Sequence, residues 1–280
     1  MSSKSACTAL QHACGEIRRL VVAASWAFRL TLTRRRAATA CCTVRRWWGV
    51  NDQARSRVPC APRSAPRTEN CSVRACRALQ VKSHAQKLAA AGYSVLVPDL
   101  YKGKVGVDKE EASHLMGHLD WMLAISEIKE AASFLRNTEG CPKVGITGFC
   151  MGGALALAGL AHSPDIAAAA PFYGLPKPQL ADLSTVKKPV QGHYGEKDGM
   201  KGFSDPEAAR AAEATLKAAG SEAEFFVYPG VGHAFMNDQP APYDSFEARE
   251  AAMGFPAYDE RQAALAWERL QAFFAKHLKA

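Results

Sequence analysis

Lys143-Val144-Gly145-Ile146-Thr147-Gly148-Phe149-Cys150-Met151-Gly152-Gly153-Ala154-Leu155-Ala156-Leu157-Ala158-Gly159-Leu160 decides the fold of this chain. The apolar run from Lys143 to Thr147 reads as a short buried strand, and Ala154 to Leu160 as a tightly packed helix. Between them, Gly148-Phe149-Cys150-Met151-Gly152 places a nucleophilic side chain between glycines. A sharp strand-to-helix turn needs such small neighbours, because an adjacent Cβ would strike the strand or the helix. The helix that starts there aims free N–H groups and its positive end at the sulfur, which favours a thiolate and an oxyanion formed beside it. A buried structural cysteine in a glycine-rich turn is the plain alternative.

Downstream segments supply partners. Pro189 to Gly195 reads as a strand ending at Glu196-Lys197-Asp198-Gly199, and Ala223 to Tyr228 as a strand running into Pro229-Gly230-Val231-Gly232-His233-Ala234-Phe235. Nucleophile, acid, histidine is the chain order of α/β-hydrolases. Each of the three lies just past a predicted parallel strand, where open α/β sheets carry their chemistry. In that arrangement Cys150 attacks, His233 moves the proton, and Asp198 fixes the imidazole tautomer. Taken singly, Asp198 is good turn chemistry and His233 an ordinary loop histidine; together, in this order, they predict a catalytic triad.

The motifs from residue 81 onward resemble dienelactone hydrolase (carboxymethylenebutenolidase), the cysteine branch of the α/β-hydrolases. The matching stretches are His84 to Tyr93, Val97-Pro98-Asp99-Leu100-Tyr101, Gly148 to Gly153, Pro171-Phe172-Tyr173-Gly174, Gly195 to Asp198 and Gly232-His233-Ala234-Phe235. An upstream island, Trp47 to Gln53, resembles the family's loop after its third strand. The resemblance implies an α/β-hydrolase fold, with a mostly parallel central sheet flanked by helices and N-terminal strands missing or degraded. It implies an oxyanion hole from the backbone N–H groups of Met151 and Trp47, and substrate contacts from Trp48, Tyr101, Lys102, Tyr173 and Phe235. Lys102 and Lys104 follow the tyrosine where relatives carry a basic residue that grips the substrate carboxylate. Two positions depart from the family. Arg46 stands where a glutamate usually contacts the resting thiol, and a cation there would favour thiolate. Asn237 stands where the relative of best-known activity has an arginine, a departure that points away from dienelactone itself as the substrate.

Charge and cysteine divide the chain. Residues 1–80 hold 15 Lys and Arg against Glu16, Asp52 and Glu69, a balance of +12; residues 81–280 hold 20 against 24, a balance of −4. The basic part has no helix–turn–helix, zinc or stacking pattern, so no nucleic-acid partner is predicted. Seven of the nine cysteines lie upstream, leaving Cys141 and Cys150 in the core, which is no disulfide scaffold. Residues 1–46 read as a basic, mostly disordered extension, either a transit peptide or miscalled coding sequence. Residues 54–80, with six Arg, three Pro and three Cys, interrupt the family pattern and read as a disordered insertion, either a retained intron or a real loop. The hydrolase domain is thus assigned to 47–53 plus 81–280. Residues 20–33 are a candidate for one strand.

The remaining core predicts helices over 81–92, 108–118, 121–136, 206–219 and 259–277, and strands over 93–98 and 166–172. On the last helix Ala264, Leu265, Trp267, Leu270, Phe273 and Phe274 form the apolar face. His114 and His118 share zinc-protease spacing but lack the glutamate between them, so a solvated helix face is the better reading and no metal is implied. No cofactor is implied either. The expected protein is a monomeric hydrolase of a small-molecule ester or lactone, acting through a Cys-His-Asp triad and a thioester acyl-enzyme, with no membrane partner. A cytoplasmic setting is expected, or a chloroplast or mitochondrion if 1–46 is a transit peptide. The rival readings are a glutaminase-type amidotransferase, whose histidine precedes its acid, and an impaired or non-enzymatic product of a disrupted gene.

Overall fold

The structure, a computed structural model, describes residues 18–23, 73–104, 109–240, 243–256 and 258–278. Six strands form one parallel sheet: β1 (Arg18–Ala23), β2 (Tyr93–Leu96), β3 (Val144–Phe149), β4 (Ile166–Phe172), β5 (Val190–Gly195) and β6 (Ala223–Tyr228). Their order across the sheet is β2-β1-β3-β4-β5-β6. The chain leaves β1 toward β2 and then crosses back to β3, so the order reverses between β1 and β3. Ligands in open α/β sheets bind at the carboxyl ends of the strands beside such a reversal. Cys150 is the residue after β3 and therefore stands there.

The helices are α1 (Val73–Ala90), α2 (Lys109–Gly117), α3 (Trp121–Ser133), α4 (Met151–His162), α5 (Pro206–Ala218), α6 (Phe246–Met253) and α7 (Glu260–His277). Two apolar cores separate the layers. One packs Ile125 and Ile128 of α3, Leu155 and Leu157 of α4 and Leu216 of α5 against the sheet. The other packs Val81, Ala85 and Leu88 of α1 with Leu270, Phe273 and Phe274 of α7 on the opposite face. Side-chain oxygens mark the helix starts. Asp120, Asp205, Ser245 and Asp259 each accept a backbone N–H from the first turn of α3, α5, α6 and α7, a cap worth about 1 kcal/mol.

Three elements differ from the sequence reading. The helix expected at 81–92 begins at Val73, inside the segment 54–80 that was expected to be disordered; residues 54–72 lie outside the described residues. Within the added residues 73–80, Gln80 donates to the carbonyl of Met236 at 3.1 Å. One strand, Arg18–Ala23, forms inside the extension 1–46 that was expected to be mostly disordered and to lie outside the hydrolase domain; it starts ahead of the 20–33 candidate, with Leu20 paired to Val95 and to Gly145. On α7 the buried line is Ala263, Ala266, Leu270, Phe273 and Phe274, whereas Leu265 is 38% exposed. Apolar identity drew the expected face too wide: the 3.6-residue period leaves Ala264 and Leu265 on the solvent side.

Candidate active site

The turn after β3 is built from backbone contacts. Cys150 has φ 55° and ψ −121°, a strained conformation for a residue with a Cβ. Its N–H donates to Phe172 O at 3.0 Å, and its carbonyl receives Gly153 N at 2.8 Å and Ala154 N at 3.2 Å. Two glycines make this turn possible. A Cβ on Gly174 would lie 2.0 Å from Cys150 O, and one on Gly153 would lie 2.5 Å from Phe172 O. Met151 is the first residue of α4, so its N–H has no acceptor within the helix.

Asp198 follows β5 and His233 follows β6, which brings both to the same rim. His233 Nε2 is 3.0 Å from Cys150 Sγ, and His233 Nδ1 is 2.8 Å from Asp198 Oδ2. Asp198 is buried, and its Oδ1 accepts Met200 N at 3.1 Å, so the carboxylate cannot swing away from the ring. Burial alone would pull the His233 imidazole down. The Cys150 negative charge and the hydrogen bond to Asp198 outweigh it and push His233 up to about 10. Cys150 is only partly buried, so its sulfur is within reach of a small molecule.

Tyr101 and Tyr173 flank the sulfur. Tyr101 Oη donates to Met151 Sδ at 3.2 Å, and both burial and the Cys150 charge raise its pKa. Asp99 sets the loop that carries it, accepting Tyr101 N at 3.2 Å and Gly103 N at 2.8 Å. The Tyr173 ring sits edge-on to His233 with centroids 5.1 Å apart, and its N–H donates to His193 O at 2.8 Å. Two expected substrate contacts read differently. Phe235 is fully buried, packed 5.0 Å from the Tyr228 ring and 5.5 Å from Tyr173, so it closes the core beneath the histidine. Lys102, at φ 54°, pairs with the Glu127 carboxylate on α3. Trp47, Trp48 and Arg46 lie outside the described residues.

Other residues at the site left no mark in the sequence. Ser204, fully buried, places its hydroxyl 3.2 Å from His233 Nδ1, and Arg249 grips the segment after His233. Neither sits in a motif; Ser204 precedes a helix cap and Arg249 lies inside a mixed-charge helix. The rings of His114 and His118 lie tilted to one another with centroids 4.0 Å apart, both exposed at the end of α2. Among the described residues no three His, Cys, Asp or Glu side chains group to hold a metal ion. Among them, too, no helix is long and apolar enough to cross a membrane.

A strand-end cysteine, a carboxylate and a histidine on a parallel sheet of this order define the α/β-hydrolase class. A profile of the dienelactone hydrolase family matches residues 75–278, and the chain belongs to that family. It is 33% identical over 205 residues to a protein of Aquifex aeolicus provisionally named a carboxymethylenebutenolidase, covering 71% of this chain and 81% of that one. It is 32% identical over 206 residues to Protein usf of Aquifex pyrophilus, with the same coverage. A crystal structure from Klebsiella pneumoniae, provisionally named a dienelactone hydrolase, superposes with a TM-score of 0.57 at 27% identity, covering 71% of this chain and 82% of that one. The chain is a carboxylic ester hydrolase, and its substrates are small-molecule esters or lactones.

Proposed function

We propose that Cys150 is the nucleophile of this hydrolase, His233 its proton carrier and Asp198 the residue that orients His233. The observation that carries this is the unbroken line from Asp198 Oδ2 through both ring nitrogens of His233 to Cys150 Sγ, in steps of 2.8 Å and 3.0 Å. The Cys150 charge and the hydrogen bond to Asp198 raise His233, so the imidazolium stabilises the sulfur in the thiolate form, the form that attacks. Its electron pair forms a bond to the ester carbonyl carbon, and the oxyanion is received by Met151 N–H and, by family resemblance, Trp47 N–H. Collapse breaks the bond to the leaving oxygen, which takes the Nε2 proton from His233 and leaves a thioester. The now neutral imidazole removes a proton from water, the hydroxide adds to the thioester, and the thiolate departs as the acid product forms.

This order of events selects substrates. A thiolate is a better leaving group than an alkoxide, so the first tetrahedral intermediate partitions back unless the leaving oxygen is stabilised. Enol esters and enol lactones meet that requirement. Lys102 paired to Glu127, and Asn237 where a relative has arginine, weaken the case for a carboxylate-bearing lactone.

The test is hydrolysis of p-nitrophenyl acetate and of an enol lactone. Cys150→Ala should lose activity by about 10⁴-fold or more, as triad members act as a unit, while Cys141→Ala keeps most of it. Equal rates for Cys150→Ala and the parent would refute the assignment.

A further inference from the structure

His233 is followed by a left-handed residue. Ala234 has φ 61°, a backbone state that costs free energy in a residue with a Cβ. The turn it makes is closed by Asn237 N donating to Ala234 O at 2.9 Å, and the segment then runs to Gln239 before reaching α6. Something outside the turn must hold it, and α6 supplies that group.

Arg249 lies midway along α6 and is only 4% exposed. Its Nη2 donates to Ala234 O at 3.1 Å, and its Nη1 donates to Asn237 O at 2.9 Å and to Gln239 O at 3.2 Å. Among the described residues no carboxylate lies within ion-pair distance of it. Burying a cation without a counter-ion is expensive, so a buried arginine satisfied by backbone carbonyls points to a structural demand for its shape. The planar fork reaches three carbonyls from two nitrogens held at a fixed separation, a geometry that a compact ammonium does not offer. The far end of the same element meets the other side of the histidine. A Cβ on Gly232 would lie 2.7 Å from Phe255 Cβ, and the Phe255 ring stands 5.9 Å from that of His233. The backbone on both sides of His233 is therefore gripped by one element, α6 and the residue pair that follows it.

We propose that Arg249 is a positioning residue for hydrolysis: by clamping the carbonyls of Ala234, Asn237 and Gln239 it holds the imidazole of His233 on the line between Cys150 and Asp198. This rests on the reading of His233 as the proton carrier. The clamp acts on geometry alone. Loss of it lets the ring tilt away from the sulfur without altering the surface that meets the ester, so turnover falls while substrate binding is kept.

The test compares Arg249→Met, which keeps the bulk and removes the fork, with Arg249→Lys, which keeps the buried charge. Each is measured for kcat and KM on p-nitrophenyl acetate, for unfolding in urea, and for the far-downfield proton NMR signal of the His233–Asp198 hydrogen bond. The expected result for Arg249→Met is a kcat lower by about 10- to 100-fold, the scale of a misplacement near 1 Å, with KM within about threefold and the proton signal shifted or lost. Arg249→Lys should recover only part of kcat. If Arg249→Met does not fold, the lysine variant alone decides, because a lowered kcat and altered signal are expected there too. Parent-like kcat and signal in the folded variant, or a kcat that drops only with the unfolded fraction while the signal stays, would overturn the proposal. A His233→Ala control separates the two levels: if it remains active, the reading of His233 fails; if it is inactive while Arg249→Met and Arg249→Lys match the parent, only the clamp fails.

Discussion

The turn that carries Cys150 and the loop that carries His233 solve the same problem by different means. Both hold a polar side chain at a strand end with positive φ close by, at Cys150 itself and at Ala234, the residue after His233. The cysteine turn is held by backbone packed on backbone, Gly153 against Phe172 and Gly174 against Cys150. The histidine loop is held by side chains reaching in from afar, Arg249 from α6 and Gln80 from α1. A backbone solution tolerates no added atom, whereas a side-chain solution loses bonds one at a time. The first should fail abruptly and the second by degrees.

Asp198→Asn is the sharpest way to break the histidine side, because the amide can offer Nδ1 a donor where an acceptor is required. The expected loss in kcat is about 10⁴-fold with the fold intact, read by steady-state kinetics beside a circular dichroism spectrum. A loss under tenfold would show that Asp198 does not fix the ring.

On the cysteine side, Gly174→Ala should fail as a fold. Its new Cβ would meet Cys150 O at 2.0 Å, and neither atom belongs to a movable side chain. A cost of about 3 kcal/mol or more is expected in urea unfolding. Gly199→Ala is the control, since a Cβ there meets nothing within 4 Å. Equal midpoints for the two variants would contradict the contrast between the regions.

The smallest effect concerns protons. Three buried imidazoles differ in sign: His233 is raised to about 10, whereas burial and Lys87 lower His84 to about 4, and burial and Arg269 lower His193 to about 3. A raised histidine adds stability that is fully present below its unfolded value and is lost as pH climbs toward 10. A lowered one takes stability away as pH falls below the unfolded value of about 6.5, because only the unfolded chain then binds the proton. From pH 7 to 5.5 the two lowered groups outweigh the gain at His233, for a net loss of about 2 kcal/mol. Urea unfolding at both pH values measures it. His193→Gln should remove on the order of 1 kcal/mol of that loss, and an unchanged loss in this variant would reject the assignment.

How legible each region was follows from the same contrast. The cysteine turn could be read directly, because a backbone solution demands glycine at fixed offsets from Cys150, and strand-end spacing then led to Asp198 and His233. The sheet reading held for β4, proposed and found at 166–172. The support of the histidine loop could not be read. Arg249 and Ser204 act through carbonyl and ring contacts made only once α6 and the loop before α5 have packed, and no periodicity encodes that. Likewise Lys102 looked like a free cation until α3 set Glu127 beside it, and Phe235 looked like a rim residue until Phe172, Tyr173 and Tyr228, at the ends of two strands, closed over it.

The most direct test is rapid acid quenching within the first turnover of p-nitrophenyl acetate, followed by peptide mass spectrometry. A thiolate mechanism at this turn predicts one acetyl group on the peptide that carries Cys150, released by hydroxylamine and absent from Cys150→Ala. Turnover by the parent with no acetyl on that peptide, or with the label on another residue, would contradict it.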